Sequence, residues 1–325
     1  MTATLTSVEV CAGAGGQALG LEQAGFEHLA LVDNDAHCCN TLRANRPNWN
    51  VINSDLDSFD GKPFKGVDLL SGGLPCPPFS VAGKQLGKND ERNLFPAFFR
   101  LIREIKPRAI LVENVRGFLD PVFEDYRETL RQQFGTLGYE CNWKLLQASD
   151  FGVSQLRPRV AIVAMPMGHL RHFAFPEKII APQPIGPLLL DLMSKRGWKG
   201  AMAWANAADK IAPTVVGGSK KHGGPDLGPT RARRAWAELG VEGRTIANEE
   251  PDADFEGMPR LTVRMVARVQ GFPDSWKFTG KKTPAYRQVG NAFPPPVAYG
   301  LGMALAHAIR KSQGVAQSAQ LKASA

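Results

Sequence analysis

Apolar residues recur along this chain in two rhythms. Val8, Val10 and Cys11 form a short run that ends in Gly13-Ala14-Gly15-Gly16, and Ala18, Leu19, Leu21 and Ala24 follow at helical spacing. That pattern predicts strand, tight turn, helix. Leu29 to Val32 predicts a second strand, ending at Asp33. Val67 to Leu70 predicts another, running into Gly72-Gly73-Leu74-Pro75-Cys76. Leu94 to Ile105 carries a helical apolar face. Ala109 to Val112 predicts a strand that ends at Glu113-Asn114, and Val160 to Met165 one more. Strands alternating with helices predict an α/β fold, a mostly parallel sheet with helices on both faces. Beyond about Gly168 the alternation fades and prolines and glycines become frequent, from Pro176 to Pro229, which predicts a smaller, irregular domain. A helical pattern returns from Tyr299 to Ile309 and is expected to pack back on the first domain. The small, polar tail from Ser312 to Ala325 is expected to fray. No internal repeat is visible.

Composition narrows the class. A chain of 325 residues suits about two domains. With 43% hydrophobic and 22% charged residues it is an ordinary folded protein rather than a disordered one. No apolar run approaches the roughly 20 residues of a membrane span. Met1 to Ser7 has no signal pattern, so an intracellular chain is expected. Five cysteines, Cys11, Cys38, Cys39, Cys76 and Cys141, include no CxxC pair, which argues against a disulfide scaffold or a zinc cage. His169 and His172 have no partner ligands at metal spacing, so no metal is expected. The net charge is +8, and Gly168 to Thr283 contributes 18 basic against 12 acidic residues. Such a localised excess fits a polyanion-binding surface, though it also serves solubility.

Three constellations carry chemistry. Gly13-Ala14-Gly15-Gly16-Gln17-Ala18 fits G-x-G-x-x-(G/A) after a strand, with Asp33 20 residues beyond Gly13. Glycines let a backbone approach a ligand, and a carboxylate at that point can accept from ribose hydroxyls. By itself this says only "nucleotide-like cofactor", and a nicotinamide dehydrogenase fits equally. Cys76, fixed between prolines at a strand's carboxyl end, is a candidate nucleophile, and Glu113 ends the next strand at the same edge. Gln155-Leu156-Arg157-Pro158-Arg159 adds two guanidinium groups there, and Glu113 with Arg159 could equally be a structural ion pair.

The ordered set resembles the cytosine-C5 DNA methyltransferases over nearly the whole chain. Val10 to Gly16 resembles the family's cofactor motif, Pro75-Cys76 its catalytic pair, and Asp90 to Phe95 the motif after the active-site loop. Glu113-Asn114-Val115 resembles the carboxylate motif, and Gln155 to Arg159 resembles Q-x-R-x-R. Arg260 to Pro273 and Gln288 to Asn291 resemble the ninth and tenth motifs. The chain departs from the family at Glu9 (usually Asp), Cys11 (usually Phe), Pro77 (usually Gln) and Met265 (usually Glu).

The resemblance implies the Rossmann-like fold of S-adenosylmethionine-dependent methyltransferases. Residues 1–172 completed by 284–325 would be catalytic, and 173–283 would form the target-recognition domain. It implies Cys76 as nucleophile toward cytosine C6, Glu113 on N3 and the exocyclic amine, Arg159 on O2, and Arg157 supporting the site or a phosphate. S-adenosylmethionine would lie against Cys11, Ala12, Gly13, Gly15 and Gly16, with Asp33 and Asn34 near the ribose, Asp55 and Leu56 near the adenine, and Asn291 returning to the pocket. Ser80 and Lys84, on a glycine-hinged basic loop, would touch DNA. So would Thr214, Gly217 and Gly218, the basic pair Lys220 and Lys221, and Arg231, Arg233 and Arg234. The implied partner is double-stranded DNA, the implied state a monomer, and the implied place a bacterial cytoplasm beside the nucleoid. The rivals are a dehydrogenase, a tRNA methyltransferase of the same family, and an inactive regulatory homologue. Retention of Cys76 and Glu113 argues against the last.

Overall fold

The computed structural model describes residues 4–74, 93–178, 180–217 and 224–323, with side chains as far as residue 314. Seven strands form one sheet: β1 (Leu5–Val10), β2 (Phe26–Asp33), β3 (Val51–Asn53), β4 (Leu69–Gly72), β5 (Ala109–Val115), β6 (Tyr139–Gln147) and β7 (Pro158–Pro166). Their order is β3-β2-β1-β4-β5-β7-β6. The first five pair in parallel, and β7 runs antiparallel between β5 and β6. Val160 to Met165, expected as a strand, is one, and it runs antiparallel to its neighbours. The segment before it holds no crossover helix, only a short turn of residues 148–150, and a short connection can return only an antiparallel strand. β6 escaped the sequence reading because it is an edge strand with mixed burial and no clean apolar rhythm.

Both faces are covered by helices α1 (Gly16–Gln23), α2 (Ala36–Asn45), α3 (Phe95–Ile105), α4 (Glu124–Thr136) and α10 (Pro295–Ala323). The strands are buried on both sides, so consecutive residues serve opposite cores. Leu70, Ile110 and Val112 join Phe98, Leu101, Ile102 and Ile105 of α3. Leu69 and Leu111 join Leu21 of α1 and Val297, Leu301 and Leu305 of α10. The expected returning helix is therefore present, and it continues through the tail expected to fray, whose Ala, Gln and Lys residues are good helix formers.

Between β7 and α10 no further strand of the sheet occurs among the described residues. Short helices α5 (Ile185–Ser194), α6 (Ala201–Ala207), α7 (Thr230–Ala237), α8 (Val263–Val269) and α9 (Lys282–Asn291) alternate with irregular chain. Their core of Leu189, Trp198, Trp204, Leu227, Trp236 and Val241 is continuous with Leu19, Leu31 and Leu42 beneath the sheet. Met265, standing where the family usually has Glu, fills the reciprocal half of a helix cap on α8. Its sulfur accepts from the Thr262 N–H at 3.4 Å while Thr262 Oγ1 accepts from the Met265 N–H at 3.3 Å. No helix of the described residues is long and apolar enough to cross a membrane.

Candidate active site

The order of the sheet reverses between β1 and β4, and the crevice beyond their carboxyl ends is where open α/β sheets bind ligands. β1 delivers a tight loop there. Cys11 (φ 50°), Gly13 (φ 54°) and Gly15 (φ 85°) are all left-handed, Cys11 at the steric cost of its Cβ. A Cβ added to Gly13 would meet nothing within 4 Å, so this turn of backbone faces open space. Asp33, at the end of β2, straps the loop in place: its Oδ2 accepts from the Gly13 N–H at 2.7 Å and its Oδ1 from the Asp35 N–H at 2.8 Å. Beside it Asn34 donates to Asp55 Oδ2 at 3.3 Å, and Leu56 is buried below. Ala12 is anchored to β2 through its N–H on the Val32 carbonyl at 3.0 Å. The structure thus gathers Cys11, Ala12, Gly13, Gly15, Gly16, Asp33, Asn34, Asp55 and Leu56 along one edge. Trp276, which sequence reasoning did not single out, closes the loop from the far side by donating to the Ala14 carbonyl at 3.1 Å. A lone tryptophan 262 residues away in sequence gives no local signal of that contact.

Glu113 ends β5 at the same edge. Arg159 Nε lies 2.7 Å from Glu113 Oε1, and the two side chains are only 14% and 13% exposed. Antiparallel register makes the pair, since Val115 lies opposite Arg159 and Glu113 opposite Ala161. Gly73 separates Glu113 from the glycine loop: a Cβ there would lie 3.6 Å from the Cys11 carbonyl oxygen and 3.7 Å from Glu113 Oε2. The carboxylate–guanidinium pair and the cradle therefore share one crevice. Cys76, Ser80, Lys84, Gly218, Lys220 and Lys221 lie outside the described residues.

Arg157 corrects one expectation. It is wholly buried, and it donates to the Val215 carbonyl at 2.7 Å, Gly290 at 2.8 Å and Ala292 at 3.1 Å. A phosphate cannot reach such a group, so of the two roles expected for it only support of the site survives. Burial presses its pKa well below the ordinary value, the Arg159 charge adds to this, and Glu113 opposes it. Gln155 and Gln270 complete the knot: Gln155 donates to Gln270 at 2.5 Å, accepts from the Val215 N–H at 2.8 Å, and Gln270 donates to the Ala292 carbonyl at 2.7 Å. One buried network thus ties β7, the segment at 215, α8 and the end of α9 together. Asn291 ends α9 in that network's surroundings, with Phe293 and Ala292 against Gly16.

Two further residues expected at DNA have contacts within the protein. The Thr214 hydroxyl donates to the Leu156 carbonyl. Gly217 is buried, and its backbone meets that of Gly290; a Cβ on Gly290 would come within 2.4 Å of Gly217 Cα. Gly217 is a packing glycine. On α7, Arg231 and Arg234 are exposed one helical turn apart, while Arg233 is half-buried with Nη2 3.4 Å from Thr230 Oγ1. None of the three pairs with a carboxylate among the described residues.

Comparison with known proteins agrees with this geometry. The model of the C-5 cytosine-specific DNA methylase family matches residues 5–307. Type II methyltransferase M.NgoMIV of Neisseria gonorrhoeae is 54% identical over 310 residues, which cover 94% of this chain and 98% of that protein. Type II methyltransferase M.NaeI of Lentzea aerocolonigenes is 52% identical, covering 92% of this chain and 74% of that one. A solved structure of a DNA modification methyltransferase encoded within an E. coli prophage has the same fold, with a TM-score of 0.67 at 23% identity over 94% of this chain and 99% of that one. A match across nearly the whole chain, with a carboxylate and an arginine paired beside a glycine cradle, places this protein in the C-5 cytosine-specific DNA methylase family, as a DNA cytosine methyltransferase.

Proposed function

We propose that the enzyme transfers a methyl group from S-adenosylmethionine to C5 of one cytosine in a specific duplex sequence, through a covalent bond between Cys76 and C6. The observation that carries this reading is the Glu113–Arg159 pair facing the glycine cradle across Gly73. The residues present fit the cofactor: Gly13 opens onto free space, the Asp33 carboxylate stands at the end of β2 where ribose hydroxyls would be met, and Asn34, Asp55 and Leu56 line the continuation of the edge. When bound, S-adenosylmethionine supplies an electrophilic methyl group.

Cytosine C5 is a poor nucleophile, and the chain's residues change that. The Cys76 thiolate adds to C6, which gives C5 enamine character. Glu113 holds N3 and the exocyclic amine and stabilises the charge that develops there, while Arg159 holds O2 and orients Glu113. Once C5 is methylated it loses its proton, and the thiolate leaves with its electron pair as the ring recovers its double bond. A base inside a duplex cannot reach the crevice, so the cytosine must be flipped out at a cost of about a few kcal/mol. Residues 1–172 with 284–325 perform this chemistry and 173–283 read DNA, with Arg231 and Arg234 of α7 facing base edges and Lys220 and Lys221 holding phosphates. The names of the Type II relatives support a place in a restriction-modification system.

Bisulfite sequencing of DNA from cells expressing the protein tests the reading. A single methylated sequence context is expected. Unmodified DNA, with methyl transfer to tRNA instead, would overturn it.

A further inference from the structure

A second group of polar side chains lies beneath the glycine loop, and the mechanism above makes no use of it. Glu9 is the next-to-last residue of β1, 1% exposed, directly opposite Ser71 of β4 in the parallel register. Gln17, in the first turn of α1, is 4% exposed and lies against the same carboxyl. Glu9 Oε2, both amide atoms of Gln17 and Ser71 Oγ are all buried and none meets a partner in good hydrogen-bond geometry, although Gln17 and Ser71 lie close enough to act on the Glu9 carboxyl. Gathering so many loosely satisfied polar atoms is unusual in a native interior. The same turn is gripped from its other side. His28 Nε2 donates to the Ala18 carbonyl at 2.8 Å and its Nδ1 lies 2.8 Å from Ser7 Oγ, while burial lowers its pKa and so favours the neutral ring.

Among the described residues, the elements packed around Glu9 bring it no positive charge. β2 offers Asp33, of like sign, and His28, whose burial lowers its pKa. β4 offers Ser71 and α1 offers Gln17, both uncharged, while Glu22 at the far end of α1 is paired with Arg46. No cation faces the carboxyl among the described residues. An ionised carboxylate here would be desolvated, unpaired and repelled.

We infer that Glu9 is a positioning residue for the cofactor: as a neutral carboxylic acid between β4 and the first turn of α1, it sets the glycine loop, and its ionisation loosens the loop's hold on S-adenosylmethionine. The inference rests on the cofactor proposed above. The Ala18 N–H, Ser71 and Gln17 would each favour an anion by donating to it, but complete burial outweighs them and leaves a neutral acid, whose O–H is a donor that an anion lacks. The resulting tie joins β1, β4 and α1 immediately below Cys11 to Gly16. Burial pushes the Glu9 pKa from 4.5 up to about 8, and Asp33 adds to the rise while Gln17, Ser71 and the Ala18 N–H oppose it. The folded chain holds this proton between about 4.5 and about 8, where the unfolded chain has lost it. Its contribution to stability therefore falls as pH rises through that window and is gone above about 8.

The test measures S-adenosylmethionine binding to the free full-length enzyme by calorimetry from about pH 6.5 to 9.5, for wild type, E9Q and E9A. Wild type is expected to lose affinity about tenfold above about pH 8, E9Q to keep the neutral-pH affinity and stay flat, and E9A to bind about tenfold more weakly throughout. Infrared difference spectra of wild type between neutral and alkaline pH should show the loss of a protonated-carboxyl carbonyl band, absent in E9Q. That band decides the matter even where a variant fails to fold. Parallel pH curves for wild type and E9Q, or no such band in wild type, would overturn the inference. Failure of every variant to bind S-adenosylmethionine at any pH would instead overturn the cofactor reading, with the infrared band still judging the state of Glu9.

Discussion

The two halves of this molecule are held together by different means. In the sheet half, backbone pairs with backbone: strand after strand repeats one register, and the side chains alternate between two apolar cores. Between β7 and α10 the irregular half has no such ladder among the described residues; short helices and scattered backbone bonds, such as the Leu227 N–H on the Gly243 carbonyl and the Ala247 N–H on Leu261, are supplemented by side chains that reach across long sequence gaps. The Trp198 indole donates to the Phe255 carbonyl at 2.9 Å, Trp204 to Leu239 at 3.1 Å, and the Tyr286 hydroxyl to Asp226 at 2.5 Å. Arg157 and Gln155 fasten this half to the sheet. A ladder fixes a position redundantly, whereas a knot of single side chains does so through few contacts. On the function proposed above, the first suits groups that must hold a reacting base, and the second suits a surface that reads a target sequence.

The comparison is tested most severely at Cys76, the proposed nucleophile. Cys76→Ser should reduce methyl transfer by about a thousandfold or more, because a hydroxyl is a far weaker nucleophile near neutral pH. DNA binding should remain. Wild type should also form a denaturant-resistant adduct with 5-fluorocytosine DNA plus cofactor, and an active preparation that forms none would count against the covalent route.

Arg157→Ala asks whether the knot joins the halves. It takes the Arg157 donor from the carbonyls of Val215 and Gly290, while Ala292 keeps Gln270, and each orphaned buried group costs about 1–3 kcal/mol. A large fall in thermal midpoint is expected, and an unchanged melting curve would show that the halves are joined by apolar packing alone.

On the irregular half, Arg231→Ala or Arg234→Ala should cost roughly 1–3 kcal/mol on the cognate sequence only. Lys220→Ala should weaken all sequences alike and lower the salt slope by about one unit. Salt titrations on cognate and scrambled duplexes separate these outcomes. If both arginine variants keep the wild-type ratio, base reading lies elsewhere than α7.

The smallest effect is expected at Asp33. Asp33→Ala removes the strap on the Gly13 N–H, and cofactor affinity should fall about tenfold, or about 1.4 kcal/mol, with DNA affinity unchanged. A cofactor dissociation constant equal to wild type would show that the loop holds its shape without the strap.

How far sequence alone determined this protein follows from the same contrast. The strands around β1, β2, β4 and β5, the glycine loop, and the convergence of Glu113 and Arg159 on one edge were legible, because strand periodicity and strand ends are local properties of the chain. The antiparallel hairpin of β6 and β7 was not, since register and direction depend on how the connection packs. Thr214 and Gly217 looked like DNA contacts by their neighbours in sequence, yet the folded chain uses one to bond Leu156 and the other to let backbone meet backbone. Arg157 and Arg159 are two residues apart on one strand and look alike as letters. Only the tertiary structure decided that one faces Glu113 in the crevice while the other is enclosed among the carbonyls of Val215, Gly290 and Ala292. Glu9 was visible only as a departure from Asp, and its significance arises from being sealed between β4 and α1, because desolvation is a property of surroundings that the sequence does not carry.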